Sequence, residues 1–135
     1  MAKITGSCLC REIKFEIDGA LGEAGNCHCT MCRKWTGSAF ITAAALKPPA
    51  LRFISGQQWL RVYDSSPGNI RRFCEKCGSS LFCGSKDESA IFVNLGCLDG
   101  DPGVRPKSHI FVGSKAPWFE ITDQLPQFDG YPPPS

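Results

Sequence analysis

Three of the nine cysteines in this 135-residue chain lie within six consecutive positions, at Cys27, Cys29 and Cys32. This C-x-C-x-x-C segment, called the triad below, is too dense to belong to a spaced disulfide framework. Three thiolates that bind one zinc ion lie only about 4 Å apart, at about 2.3 Å from the metal, and a tight loop can bring its sulfurs that close. The segment therefore predicts a metal-binding loop that supplies three ligands.

The cysteines outside this loop decide whether its metal keeps an open position. Zinc with three protein ligands leaves a fourth position free and is typical of catalytic sites, whereas four protein ligands make a closed structural site. A C-x-C and a C-x-x-C motif together supply four further cysteines, which can complete one tetrahedral site. We therefore predict two zinc ions per chain, a catalytic one on the triad and a structural one on the four-cysteine cluster of Cys8, Cys10, Cys74 and Cys77.

The backbone must be shaped locally for the four-cysteine cluster to form. In regular extended backbone the sulfurs of Cys8 and Cys10 would lie about 6 to 7 Å apart, which is too far for one zinc ion. We therefore expect a bend at Leu9. Gly78 follows the C-x-x-C motif and can adopt the positive φ that closes such a turn.

Other ways of using the cysteines remain open. A single structural zinc could take the last two cysteines of the triad and the C-x-x-C pair, but the 41 residues between these pairs exceed the roughly 15 to 20 that are usual in a zinc ribbon. Cys83 and Cys97 stand alone in apolar segments, where buried free cysteine is common, and we predict that both pack in the core.

Histidines and basic residues accompany the triad. His28 lies between two ligands, but strand-like alternation points its side chain away from them, so we predict that it does not bind the metal. His109 begins an apolar run and is predicted to be a structural histidine. Arg33 and Lys34 directly follow the triad, where they either form a solvated loop end or attract an anionic substrate.

The N-terminal residues, the hydropathy and the net charge indicate the compartment and the partners of the protein. The first six residues lack the apolar stretch of a secretory signal, and no apolar run approaches the roughly 20 residues of a membrane span. We therefore predict a cytoplasmic protein with no membrane partner, in which clustered cysteines favour metal over disulfides. Seven thiolates and two divalent ions would change the formal charge of +2 to −1, which gives no electrostatic basis for nucleic-acid binding.

Short apolar runs between frequent turns predict a mainly β chain. Ten prolines and fourteen glycines punctuate these runs. Residues 12–18 alternate polar and apolar, which places Ile13, Phe15 and Ile17 on one face of a half-buried strand. The only helical pattern is a turn or two near residues 32–36. We predict one domain over residues 1–128 and a loose proline-rich tail over residues 129–135.

Several motifs in order give the chain a resemblance to a known family. They are Gly6-Ser7-Cys8-Leu9-Cys10, Cys27-His28-Cys29-Thr30-Met31-Cys32-Arg33-Lys34, Phe73-Cys74-Glu75-Lys76-Cys77-Gly78-Ser79, Leu98-Asp99 and Ser114-Lys115-Ala116-Pro117-Trp118. Together they resemble the glutathione-dependent formaldehyde-activating enzyme family, which includes centromere protein V. The resemblance implies a β-tent of several short coiled antiparallel sheets stapled by zinc, with the same division of ligands into a structural four-cysteine site and a catalytic triad.

The resemblance also implies an activity and a partner. It implies a zinc-dependent carbon–sulfur lyase-type enzyme that joins glutathione and formaldehyde into S-(hydroxymethyl)glutathione, with a small-molecule thiol as its partner. The alternative is a non-enzymatic zinc-binding structural or interaction domain, in which Cys83, Cys97 or a partner protein closes the triad. Two positions depart from the family pattern, which usually has glycine in place of Arg11 and a small hydroxyl residue in place of Cys97.

Overall fold

A computed structural model describes residues 3–133 of the chain. The helical elements in this range are one α-helix and four short 3-10 segments, α1 (Thr30–Thr36), Pro48–Ala50, Gln57–Trp59, Leu95–Cys97 and Val112–Ser114. The strands in this range are β1 (Ile4–Ser7), β2 (Lys14–Ile17), β3 (Ala24–Cys27), β4 (Ile41–Leu46), β5 (Leu51–Ser55), β6 (Leu60–Ser66), β7 (Asn69–Cys74), β8 (Ser80–Ser85), β9 (Ile91–Asn94) and β10 (Pro106–Ile110).

The strands form two sheets. The smaller has the order β1-β2-β5, and the larger has the order β10-β3-β4-β9-β8-β7-β6. All pairings are antiparallel except that of β10 with β3, which is parallel. Strands β6 to β9 follow one another as a meander, whereas β5 leaves this order to pair with β2. The predicted mainly β class is confirmed.

The main core contains the alternating strand that the sequence indicated. Ile13, Phe15 and Ile17 are all buried, and the rings of Phe15 and Phe82 meet edge to face with centroids 4.9 Å apart. Since Phe15 belongs to the small sheet and Phe82 to the large one, this contact packs the two sheets together. Gly6 pairs with Phe15 across β1 and β2, and a Cβ there would lie 2.5 Å from the Phe15 ring. Only glycine allows so close an approach to the Phe15 ring, and this contact sets the position of the backbone just before Cys8.

The α-helix is short, as the sequence predicted. Cys29 caps its start, because the sulfur accepts a hydrogen bond from the backbone N–H of Cys32 at 3.3 Å. Gly37 ends it with φ of 69° and donates its N–H to the Arg33 carbonyl. In the described part of the chain no helix is long and apolar enough to cross a membrane.

The segment after β10 returns to lie parallel to that strand beside His109. The His109 N–H donates to the Pro126 carbonyl, and the Phe128 N–H returns a bond to the His109 carbonyl, both at 2.9 Å. Beyond residue 128, the Gly130 carbonyl accepts from Phe111 and the Tyr131 ring packs against the Phe111 ring. The boundary at residue 128 remains a prediction. The ends of the predicted domain and tail, residues 1–2 and 134–135, lie outside the described residues.

Candidate metal centres

The four-cysteine cluster forms where the two sheets meet. Cys8 and Cys10 follow β1 of the small sheet, whereas Cys74 ends β7 of the large sheet and Cys77 lies in the turn before β8. The four sulfurs all lie within 4.8 Å of one another. The chain bends at the exposed Leu9, as predicted, and the Arg11 N–H closes the turn on the Cys8 carbonyl.

The spacing of these sulfurs fits a closed tetrahedral zinc site. The Cys8 and Cys10 sulfurs are 3.5 Å apart, and those of Cys10 and Cys74 are 3.9 Å apart. Sulfurs at about 2.3 Å from a tetrahedral zinc would be separated by about 3.8 Å. Burial alone would raise the pKa of Cys77, but hydrogen bonds from Ser79 and from the Cys10 backbone outweigh it and lower that pKa to about 6. The donor set therefore fits zinc in both geometry and chemistry.

The triad is a second and more local cluster. Cys27 ends β3, Cys29 precedes α1 and Cys32 lies in the first turn of α1, and their sulfurs are within 4.8 Å of one another. Hydrogen bonds from the Cys27 and Cys32 thiols lower the pKa of Cys29 to about 2. Without metal the cluster therefore holds one thiolate and two thiols. A zinc ion would replace the shared protons, so the triad also fits the metal.

Within residues 3–133 no fourth cysteine, histidine or carboxylate joins the triad at this spacing. Cys83 and Cys97 are outside both clusters, and burial raises the pKa of each to about 11, so both remain thiols at neutral pH. Cys97 donates its S–H to the Ser80 carbonyl at 3.2 Å. The two cysteine pairs of the alternative ribbon site belong to different clusters.

A chain of buried polar groups runs from the triad loop to the surface. His28 is fully buried, and its Nε2 lies 2.8 Å from Nδ1 of His109, whose Nε2 lies 3.0 Å from a carboxylate oxygen of the half-exposed Asp123. When both rings are neutral, the carboxylate accepts from Nε2–H of His109, and Nδ1 of His109 accepts from Nε2–H of His28. The Nδ1 of His28 then carries a lone pair and has no hydrogen-bond partner. Burial lowers the pKa of His28 to about 4 and keeps it neutral.

Arg71 is the cationic neighbour of the triad. It lies on β7 and is only 8% exposed. Its Nη1 donates to the sulfur of Cys32 at 3.3 Å, and its guanidinium carbon lies 5.1 Å from the centre of the Trp35 ring on α1. Burial would lower its pKa, but the hydrogen bond with Cys32 outweighs this and the pKa is raised. The triad therefore has a fixed positive charge beside it.

The predicted basic pair lies on α1 itself. Lys34 is exposed, whereas Arg33 is partly buried and its Nε has no hydrogen-bond partner. Its charge is one of those that lower the pKa of His28.

Comparison with known proteins identifies the family. The sequence model of the family described as glutathione-dependent formaldehyde-activating enzyme matches residues 3–114. The chain belongs to this formaldehyde-activating family. The match includes both cysteine clusters and Arg71, but ends before Asp123.

Individual relatives agree with this assignment. An uncharacterised lyase of Schizosaccharomyces pombe (strain 972 / ATCC 24843) is 24% identical over 129 residues, which cover 95% of this chain and 92% of the yeast protein. A crystal structure of a Rhodobacter sphaeroides protein superposes with a TM-score of 0.58 at 24% identity, covering 73% of this chain and 91% of the bacterial one. At this identity the structural likeness supports the fold alone.

The two departures from the family pattern have structural counterparts. Arg11 has φ of 68°, in the left-handed region that glycine adopts without steric cost. A hydroxyl in place of the Cys97 thiol could make the same hydrogen bond to the Ser80 carbonyl. Neither position supplies a sulfur to either cluster of this formaldehyde-activating family member.

Two functional features were missed by sequence reasoning. Arg71 was indistinguishable from Arg72 beside it, because only strand pairing shows that Arg72 reaches Glu88 while Arg71 reaches the triad. The role of Asp123 gave no sequence signal, since it depends on the turn after β10. His109 was noticed as a structural histidine, but its bond to His28, 81 residues away, could not be seen in the family motifs.

Proposed function

We propose that this chain is a zinc-dependent lyase-type enzyme that acts on glutathione, formaldehyde and their adduct, S-(hydroxymethyl)glutathione. The observation that carries the proposal is the triad, whose three sulfurs have no fourth protein ligand among the described residues and which faces a buried cation. Membership of the formaldehyde-activating family supports the substrates, and the description of the yeast relative as a lyase supports the reaction class.

The two clusters would serve different purposes. The four-cysteine cluster would hold a structural zinc that joins the two sheets, because it is closed and lies at their junction. Cys27, Cys29 and Cys32 would hold a catalytic zinc. When bound there, zinc supplies a Lewis acid that keeps an entering thiol in its nucleophilic thiolate form.

The reaction itself needs little from the protein beyond placement and charge. The glutathione thiol releases its proton to solvent, its sulfur forms a bond to the formaldehyde carbon, the electron pair of the C=O π bond moves to oxygen, and that oxygen takes a proton from solvent. The reverse reaction breaks the same carbon–sulfur bond. Arg33 and Lys34 would attract the carboxylates of glutathione, since both follow the triad on α1.

The hydrogen-bonded histidine pair would keep the triad loop in shape. His28 lies between Cys27 and Cys29, and its bond to His109 ties that position to β10. The backbone N–H of His28 also donates to the Ile110 carbonyl at 2.9 Å. These two bonds hold in place the residue between two of the ligands, and a reactive centre requires such fixed placement.

The test compares three zinc-loaded proteins by exchange NMR with ¹³C-formaldehyde and glutathione. We expect the wild type and Cys97→Ser to accelerate formation of the adduct and Cys29→Ser to lose this effect. Serine is a good helix N-cap, so Cys29→Ser removes a ligand without removing the cap of α1. Cys97→Ser is the matched control, because it removes a thiol outside both clusters. Wild-type protein that leaves the uncatalysed rate unchanged would refute the proposal in favour of a non-enzymatic zinc domain.

A further inference from the structure

Arg71 differs from the other charged side chains in its surroundings. Among the lysines and arginines in residues 3–133, it is the one that is buried. A buried charge is costly unless an opposite charge lies against it. The arginines that form ion pairs in the same range each reach a carboxylate, and they are Arg52, Arg61, Arg72 and Arg105. Arg71 is not among them, and the atom that accepts its hydrogen bond is the sulfur of Cys32, one of the three sulfurs that would be thiolates around a bound metal.

The guanidinium of Arg71 is held in place from several sides. Strand pairing sets Arg71 opposite Tyr63 on β6 and opposite Cys83 on β8. The Trp35 ring lies over the guanidinium. The Nε of Arg71 donates to Ser65 Oγ at 3.4 Å. The Nη2 of Arg71 has no hydrogen-bond partner within the described chain, and this atom is not fully buried. The guanidinium is therefore held in place, and its Nη2 is available to donate a hydrogen bond to a ligand.

A count of charges shows what this cation does for the metal site. Three thiolates and one zinc ion together carry a charge of −1, which Arg71 brings to zero. An anionic fourth ligand then changes the total from zero to −1, whereas without Arg71 it would change from −1 to −2. No arginine in residues 3–133 donates to the sulfurs of the four-cysteine cluster, which is already complete. The cation is placed only where a fourth ligand can enter.

We propose that Arg71 is the positioning residue that makes the triad site take an anionic sulfur as its fourth ligand. The identity of that ligand as a thiol rests on the proposed function, whereas the role of Arg71 rests on its burial and its contact with Cys32. Arg71 acts on the charge of the sulfurs, so it favours every thiolate alike and does not select glutathione by its carboxylates.

The expected effect is large enough to measure. A fourth sulfur on the zinc would lie about 4 Å from the Cys32 sulfur, which is itself 3.3 Å from Nη1 of Arg71. At these separations and an effective dielectric constant of about 20, losing the positive charge should weaken thiol binding about 10- to 100-fold.

The experiment titrates cobalt-substituted protein with thiols at one fixed pH and follows the thiolate-to-cobalt absorption. The thiols are glutathione and the uncharged 2-mercaptoethanol. The variants are Arg71→Met, Arg71→Gln and Arg71→Lys, and Arg72→Met is the matched control, since it removes the neighbouring guanidinium that pairs with Glu88. The cobalt absorption of the four-cysteine cluster, which should not respond to thiol, reports for each variant that the protein is folded.

We expect both neutral variants to bind both thiols about 10- to 100-fold more weakly, Arg71→Lys to recover most of this loss, and Arg72→Met to match the wild type. Neutral variants with wild-type affinity would overturn the role of Arg71 while leaving the proposed function intact. A loss confined to glutathione would also overturn it, because Arg71 would then bind a carboxylate. A wild-type protein that takes neither thiol would overturn the proposed function and this inference together.

Discussion

Loss of one ligand should affect folding very differently at the two clusters. Cys10 is exposed, so Cys10→Ser removes a ligand of the four-cysteine cluster without opening a cavity in the core. Cys29→Ser removes a ligand of the triad while keeping a helix cap. The two variants therefore compare the loss of metal at two places with little loss of packing at either.

The magnitude follows from the segments that a metal at each cluster would connect. Cys10 and Cys74 are 64 positions apart and belong to turns of different sheets, so a metal between them closes a long loop. A cross-link of that span restricts the unfolded chain by about 4 kcal/mol, compared with about 2 kcal/mol for the few residues of the triad. The whole binding energy of a structural zinc is of the order of 10 kcal/mol, which is comparable to the net stability of a domain, about 5 to 15 kcal/mol.

Thermal unfolding followed by circular dichroism, together with metal analysis, measures the difference. At about 3 °C per kcal/mol for a chain of this size, Cys10→Ser should lower Tm by about 12 °C or more, or leave the protein unfolded. Cys29→Ser should lower Tm by about 6 °C or less and retain one zinc. Cys97→Ser, which keeps both clusters, should stay near the wild type. The reverse order of Tm values would show that the structural and catalytic roles have been exchanged.

Three further predictions concern single residues. The pKa of His28 is lowered from 6.5 to about 4, so on acidification from pH 6.5 to about 4 the unfolded chain takes up a proton that the folded chain does not. The free energy of unfolding should fall by up to about 3 kcal/mol over this pH range. The free energy of unfolding of His28→Gln should lack this pH dependence, and an equal dependence would contradict a buried neutral His28. Calorimetry in buffers of different ionisation enthalpy should show about two protons released when zinc fills the triad, because Cys29 is already a thiolate; about three would contradict this. Arg11→Gly should raise stability by about 1 kcal/mol in denaturant unfolding, since Arg11 has φ of 68°, and a loss would contradict a strained backbone there.

Much of the fold and the clusters could be predicted because the signals are local. The alternation that buries Ile13, Phe15 and Ile17 is visible within seven residues, and the helical turn or two near residues 32–36 is likewise a local pattern. The three cysteine motifs and the four-ligand preference of zinc favour a division of seven cysteines into four and three, and the structure groups the sulfurs in the same way.

The features that were missed depend on contacts between distant segments. Arg71 reaches the sulfur of Cys32, 39 positions away. This contact requires β7 to pair with strands on both sides, which places the guanidinium of Arg71 under α1. The parallel pairing of β10 with β3 brings His109 to His28, and no local pattern indicates it. Propensity and periodicity describe single segments, so they cannot specify which buried charge faces which cluster.

The central claim is that the chain has one closed and one open metal site, and zinc X-ray absorption with metal analysis tests it most directly. We predict two zinc ions per chain and an average of about 3.5 sulfur ligands per zinc, from one site with four and one with three. Adding glutathione should raise this average to about 4 as the triad accepts a sulfur. One zinc per fully loaded chain, or four sulfurs per zinc before any thiol is added, would contradict the claim.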